Sequence, residues 1–236
     1  MKRVLAVLAS TLLLAVTTAP TAGAQSWNLA NDYSLTTNGG TNPWTYGRYT
    51  VTTGLDPATF SAFTTYGLRD GSVLATWWDN PTPPTVDPNI QKNITGTTYN
   101  QPGTGIAFAP GEVTFGPYLG PTVARWTAPF AGVFSVSAVF KTVQSVNTDP
   151  NAYVFLGTNT SPLYNHTVNA TGVSYASTLT FTAGQTMDFV VWGNNQNNKT
   201  TQVQATITAV PEPGSVALVA AGLLGLGVAA RRRRRA

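Results

Sequence analysis

From Gly132 to Thr142 the chain alternates without a break. Phe134, Val136, Ala138, Phe140 and Thr142 form one set, and Val133, Ser135, Ser137, Val139 and Lys141 form the other. A period of two is that of an extended strand with one buried face. It cannot be laid on a helix, whose apolar stripe recurs every three to four residues. The first set is the more continuously apolar and is expected to face a core. Four more stretches follow in the same style. Asn151 to Gly157 carries Tyr153, Val154, Phe155 and Leu156, and Ser174 to Thr182 sets Tyr175, Ser177, Leu179 and Phe181 opposite smaller polar residues. Met187 to Trp192 returns after an Ala183-Gly184-Gln185 turn, and Gln202 to Ala209 puts Val203, Ala205, Ile207 and Ala209 on one side. Five strands with no helical period between them predict an all-β chain, a single antiparallel β-sandwich or jelly roll.

The N-terminal half is less regular. Arg48 to Thr53 and Val73 to Trp77 are expected strands, with Ile106 to Ala109 and Glu112 to Phe115 as shorter candidates. Pro81 to Pro88 reads as a stiff loop barred from a central strand. No repeat of 20–50 residues is visible, so one domain over 25–209 is the expectation.

Charge separates this segment from the ends. The whole chain counts 13 Lys+Arg against 9 Asp+Glu. Seven of the positives, Lys2, Arg3 and Arg231 to Arg235, lie at the termini. Residues 25–209 hold six positives and eight acids, a net charge of about −2. A nucleic-acid partner recruited by a basic surface is therefore excluded. With no cysteine in the sequence, disulfides, thiolate nucleophiles and Cys-ligated metals are excluded as well.

The ends read as addresses. Lys2-Arg3, the apolar run Val4 to Val16 and the small-x-small pattern of Ala22 and Ala24 describe a secretory signal peptide over 1–24, cut before Gln25. At the other end, Val210-Pro211-Glu212-Pro213-Gly214 leads into an apolar run, 215–230, and then Arg231, Arg232, Arg233, Arg234 and Arg235. The run is short for a bilayer core of about 30 Å. The arginines should hold its end on the cytoplasmic side, leaving 25–209 outside that membrane.

The three parts of this tail, in this order, resemble the PEP-CTERM sorting signal of bacterial exosortase substrates, over 210–236. The resemblance implies export and a membrane-tethered precursor held through the short hydrophobic helix 215–230. It further implies recognition of Pro211, Glu212 and Pro213 by exosortase, then delivery to the cell surface or extracellular matrix. Two stretches of the middle are similar to other proteins bearing this signal: Asn42-Pro43-Trp44-Thr45-Tyr46-Gly47, and Arg125-Trp126-Thr127-Ala128-Pro129-Phe130-Ala131-Gly132. They imply a jelly-roll-like module. The sequence departs from that pattern at Lys199, where an aspartate often precedes the threonines of the last strand.

Catalytic chemistry is sparse. The single His166 stands in a polar stretch with no partner motif, and no Gly-x-Ser-x-Gly elbow is present. A glycan hydrolase, the remote alternative, would need two acids facing each other across a cleft. Here Asp56-Pro57, Asp70-Gly71, Asp87-Pro88 and Asp149-Pro150 read as turn residues. No catalytic residue, metal or cofactor is expected.

The aromatics offer the other lead. Trp77 and Trp78 are adjacent, so on a strand they point to opposite faces and one is expected to be partly exposed. Trp44 and Tyr46 could share a face in the same way. These four are the candidate contacts for an extracellular polysaccharide, against the alternative that all are packing residues. The expectation is an exported, non-catalytic surface or matrix protein, with a lectin-like carbohydrate-binding module as the alternative.

Overall fold

A computed structural model of the chain describes residues 24–79, 88–144, 150–193 and 200–211. Outside them lie the expected signal peptide up to residue 23, most of the Pro81–Pro88 loop, Asp87 and Asp149. Glu212, Pro213, the 215–230 helix and the five arginines fall there too.

Two antiparallel sheets face each other across one core. In the first, β14 (Val173–Phe181), β11 (Gly132–Thr142), β16 (Thr201–Ala209), β9 (Val113–Gly116), β6 (Asn89–Asn93), β5 (Leu74–Trp78) and β4 (Thr65–Arg69) follow one another, and β1 (Ser26–Asn28) also pairs with β16. The second runs β13 (Tyr164–Thr167), β12 (Asn151–Leu156), β15 (Thr186–Trp192), β10 (Thr122–Thr127), β2 (Trp44–Tyr49) and β3 (Phe60–Ala62). A separate hairpin joins β7 (Tyr99–Gln101) to β8 (Ile106–Phe108). This is the antiparallel β-sandwich expected from the sequence, and Ser26–Ala209 form one compact unit.

The alternation places the core. Phe134, Val136, Ala138 and Phe140 of β11 and Val203, Ala205 and Ile207 of β16 are buried on the inner face of the first sheet. Trp44 and Tyr46 of β2, Ala124 and Trp126 of β10, and Met187, Phe189 and Val191 of β15 meet them from the second. The Trp126 ring stands edge-on to Phe134 and Phe181, each at 5.3 Å between centroids.

Eight strands differ from expectation: β2 is displaced, and β1, β3, β4, β6, β7, β10 and β13 have no counterpart in the sequence reading. β2 begins at Trp44 and stops at Tyr49 instead of spanning Arg48 to Thr53, because Asp56 caps a short 3-10 turn at Pro57–Thr59, its carboxylate accepting the Ala58 N–H at 2.9 Å. β6 has one apolar residue, Ile90, among Asn89, Gln91, Lys92 and Asn93, so it carries no apolar period. It is held as a strand by pairing with β5 and β9 on its two sides. β10 lies in a segment where the sequence suggested only a resemblance.

Both sheets are also covered outside the sandwich. The β7–β8 hairpin buries Ile106 and Phe108 against Leu74 on the outer face of the first sheet. The segment after β2 buries Tyr49, Val123, Phe155 and Val190 on the outer face of the second, with Leu55 and Phe60 above them.

Candidate functional site

The four expected glycan contacts are all interior, which corrects the prediction that some would reach solvent. Trp44 and Tyr46 do share a face, but it is the inner one, and both are wholly buried. Trp44 packs on Phe189, and Tyr46 stacks on Tyr33 at 4.9 Å. Trp77 also points inward and donates its ring N–H to the Ser34 carbonyl at 2.9 Å. Trp78 does point the other way, as adjacency requires, yet it is only 9% exposed. Its ring lies over Gly67 of β4, where an added Cβ would stand 2.7 Å from the indole. The inference failed because both faces of β5 are covered.

The described acids are individually engaged. Asp32 accepts the Asn28 N–H at 2.7 Å, Asp70 accepts from the Gln101 amide at 2.9 Å, and Asp79 pairs with Arg48 at 2.8 Å. Asp188 is fully buried on the outer face of β15. Arg125 grips it with two bonds of 2.7 Å, and the Tyr49 hydroxyl donates to the same carboxylate. Burial pushes the Asp188 carboxyl and the Tyr49 hydroxyl up from their ordinary values, and Arg125 opposes both shifts. The Arg125 guanidinium also reaches the Pro57 carbonyl at 2.8 Å and lies 4.0 Å from the Phe60 ring centroid. This cluster is sealed, so it fastens the segment after β2 to the sheet. The Arg-Trp-Thr-Ala-Pro stretch thereby acquires a structural reason: Arg125 faces outward to Asp188 while Trp126 faces the core. Among the described residues no three His, Asp or Glu side chains converge as a metal site would require. His166 stands exposed on β13 beside Tyr164, at 4.6 Å between rings.

The concave feature lies elsewhere, on the outer face of the first sheet. Beside β16, pairing with β9 ends at Gln202↔Thr114, and contact with the β1 segment resumes at Ala205, whose carbonyl accepts the Leu29 N–H at 2.9 Å, ahead of the Thr206↔Asn28 pair. The two neighbouring strands splay apart in between. A groove of about 430 Å³ opens there.

Each wall is a turn locked by its own bonds. On the β1 side, Asn28 Oδ1 accepts the N–H groups of Ala30 and Asn31 at 3.1 and 3.0 Å, and its Nδ2 donates to Thr206 Oγ1 at 2.9 Å. On the β9 side, Ala109-Pro110-Gly111-Glu112 forms a turn with Gly111 at φ +71°, closed by the Glu112 N–H on the Ala109 carbonyl at 3.1 Å. Proline second and glycine third are what such a turn demands. Glu112 Oε2 then accepts the Ala109 N–H at 2.6 Å. Its Oε1 is buried and, among the described residues, has no hydrogen-bond partner. Burial raises the Glu112 carboxyl above its ordinary value, against the Ala109 bond and the nearby Lys141 charge.

The floor comes from Ser137 and Val139 of β11 and Gln202 and Gln204 of β16. Neither glutamine amide has a partner among the described residues. No aromatic ring lines the groove. Sequence reasoning missed it. The Pro110-Gly111 turn was visible, but the gap between β1 and β9 depends on a pairing between chain ends.

Residues 209–235 match the model of the PEP-CTERM protein-sorting motif. The chain carries that sorting motif. No curated protein matches the chain. Among solved structures, the CBM22-1 xylan-binding domain from Paenibacillus barcinonensis Xyn10C is 8% identical, with a TM-score of 0.34 over 53% of this chain and 83% of its own. The C-terminal CBM6 of LamC from Zobellia galactanivorans is 12% identical, with a TM-score of 0.28 over 41% and 79%. Rabbit GITRL is 13% identical, with a TM-score of 0.29 over 39% and 73%. At such scores none of these likenesses bears on a ligand or an activity. Among the described residues no helix is long and apolar enough to cross a membrane.

Proposed function

We propose that the protein is an exported, non-catalytic component of a bacterial cell surface or extracellular matrix. In this reading a signal peptide over 1–24 is removed, and 25–209 is delivered as the β-sandwich. Residues 210–236 serve as the address, with exosortase recognising Pro211, Glu212 and Pro213. The observation that carries the reading is the PEP-CTERM protein-sorting motif at 209–235, which begins where the last strand, β16, ends. Val210 and Pro211 continue from that strand exposed and without regular structure, as an enzyme that must reach the motif would need. Proline cannot donate to a ladder, which keeps the segment out of the sheet.

The test is mass spectrometry of the protein recovered from its native host, beside a variant with Pro211, Glu212 and Pro213 replaced by alanine. Loss of the residues after the motif in the wild type alone is the expected result. Intact C-termini in both proteins would make this a plain anchored ectodomain and end the sorting reading.

A second reading is a carbohydrate-binding module acting on extracellular polysaccharide. It is supported by the groove beside β16, with its unengaged amides. The aromatic platform of Trp44, Tyr46, Trp77 and Trp78 no longer supports it.

A further inference from the structure

We infer that the groove between β1 and β9 is a saccharide site, selective for neutral, hydroxyl-rich sugar units over polyanionic ones. The inference rests on the carbohydrate-binding reading and gives it a place and a ligand class.

Shape comes first. A volume of about 430 Å³ falls inside the range of about 300–1,000 Å³ typical of small-ligand pockets. Both walls are turns closed by internal bonds, so Asn28 and Glu112 are held where they stand before any ligand arrives. A preformed site spends little binding energy on ordering itself.

The lining chemistry selects the ligand. Gln202 and Gln204 sit two residues apart on β16 and so project from the same face. Each carboxamide offers both an acceptor and donors, which matches a hydroxyl, itself donor and acceptor. Ser137 of β11 adds a third polar group to the floor. Pro110 and Val139 give the C–H faces of a ring an apolar surface.

Charge decides against acidic sugars. Glu112 is the one ionisable side chain among the lining residues, and the charge of Lys141, register partner of Gln202 across β11 and β16, is already offset by that carboxylate. A uronate or sulfate placed in the groove would be brought, poorly solvated, against a carboxylate. The absence of any ring from the lining points the same way as the amides: recognition is by hydrogen bonds to sugar edges, not by stacking.

The experiment uses the protein in the form its host exports, titrated with dextran, galactomannan and polygalacturonate by isothermal calorimetry. Binding to a neutral polymer, weakened about tenfold or more by the double variant Gln202→Ala/Gln204→Ala, is the expected result; removing two ordinary hydrogen bonds has an effect of that size. Thr180→Ala, on the outer face of β14, serves as control and should leave binding unchanged. Unaltered thermal melting of the double variant would separate lost contacts from lost fold. Preference for polygalacturonate would overturn the ligand class. Neutral-polymer binding that survives the double variant would overturn the site and leave the carbohydrate-binding reading standing. No binding of any of the three polymers by the wild type would overturn both.

Discussion

Arg125 and Asp188 meet in a two-pronged ion pair, both bonds 2.7 Å, on the outer face of the second sheet, where Asp188 has no exposure to solvent. They are cross-strand neighbours in the β10–β15 register. The pair compensates a buried charge and, through the Pro57 carbonyl and the Phe60 ring, fixes the segment that follows β2.

Removing one partner leaves the other charge buried and alone. Arg125→Ala should therefore cost about 3–5 kcal/mol in urea denaturation, while Arg125→Met combined with Asp188→Leu should cost much less. Equal losses in the single and double variants would show that the pair is not what stabilises this face.

Glu112 ties stability to pH. Burial raises its carboxyl above the ordinary value, so the folded chain binds this proton more tightly than the unfolded one. The contribution of this residue is most favourable in acid, below the unfolded carboxyl value, and falls as pH climbs through the raised one. Glu112→Gln keeps an acceptor for the Ala109 N–H and removes the charge. It should melt at a higher temperature than the wild type near neutral pH, with the difference shrinking to nothing by about pH 3. A difference that grows towards acid pH would reverse the sign assigned here.

Gly47 faces β3 with no room for a side chain. An added Cβ would lie 2.2 Å from the Ser61 carbonyl oxygen and 2.7 Å from the Phe60 ring. Gly47→Ala should destabilise by about 1–3 kcal/mol through forced displacement of β3. Gly54→Ala, with nothing within 4 Å of the added carbon, provides the comparison in the same thermal melts.

Tryptophan fluorescence distinguishes a packing role from a sugar platform. Trp27, Trp44, Trp77, Trp78 and Trp126 are all buried, and the half-buried Trp192 ends β15 in the sheet that does not carry the groove, so saturating polysaccharide should leave the emission maximum unshifted. Trp78→Ala should cost about 3–5 kcal/mol by leaving a cavity over Gly67. A saccharide-induced blue shift abolished by that substitution, in a variant that melts normally, would restore the aromatic site.

Much of the sandwich was legible because its strands obey a rule local to the chain. β11, β14 and β16 alternate strictly, and β11 put the expected set inward. β6 was not legible: Asn89, Gln91 and Asn93 are buried polar residues on its outer face, and no local pattern announces a strand whose side chains are satisfied by hydrogen bonds. Asn93, for example, donates to the carbonyls of Thr97 and Phe108, both at 2.9 Å, and accepts from Thr95. The same limit applied to Trp78, since alternation says which way a side chain points but not whether something lies on that side.

By itself, then, the sequence determined the class of fold, the inward faces of the long strands and the sorting address, because periodicity and a linear motif are properties of neighbouring residues. Tertiary structure decided the rest. It covered Leu74 on the outer face of β5 with a hairpin, brought Arg125 to Asp188 across a separation of 63 positions, and set β1 beside β16 although Ser26 and Ile207 stand 181 positions apart. The groove exists only because those distant strands pair and then part, and no stretch of sequence contains both of its walls.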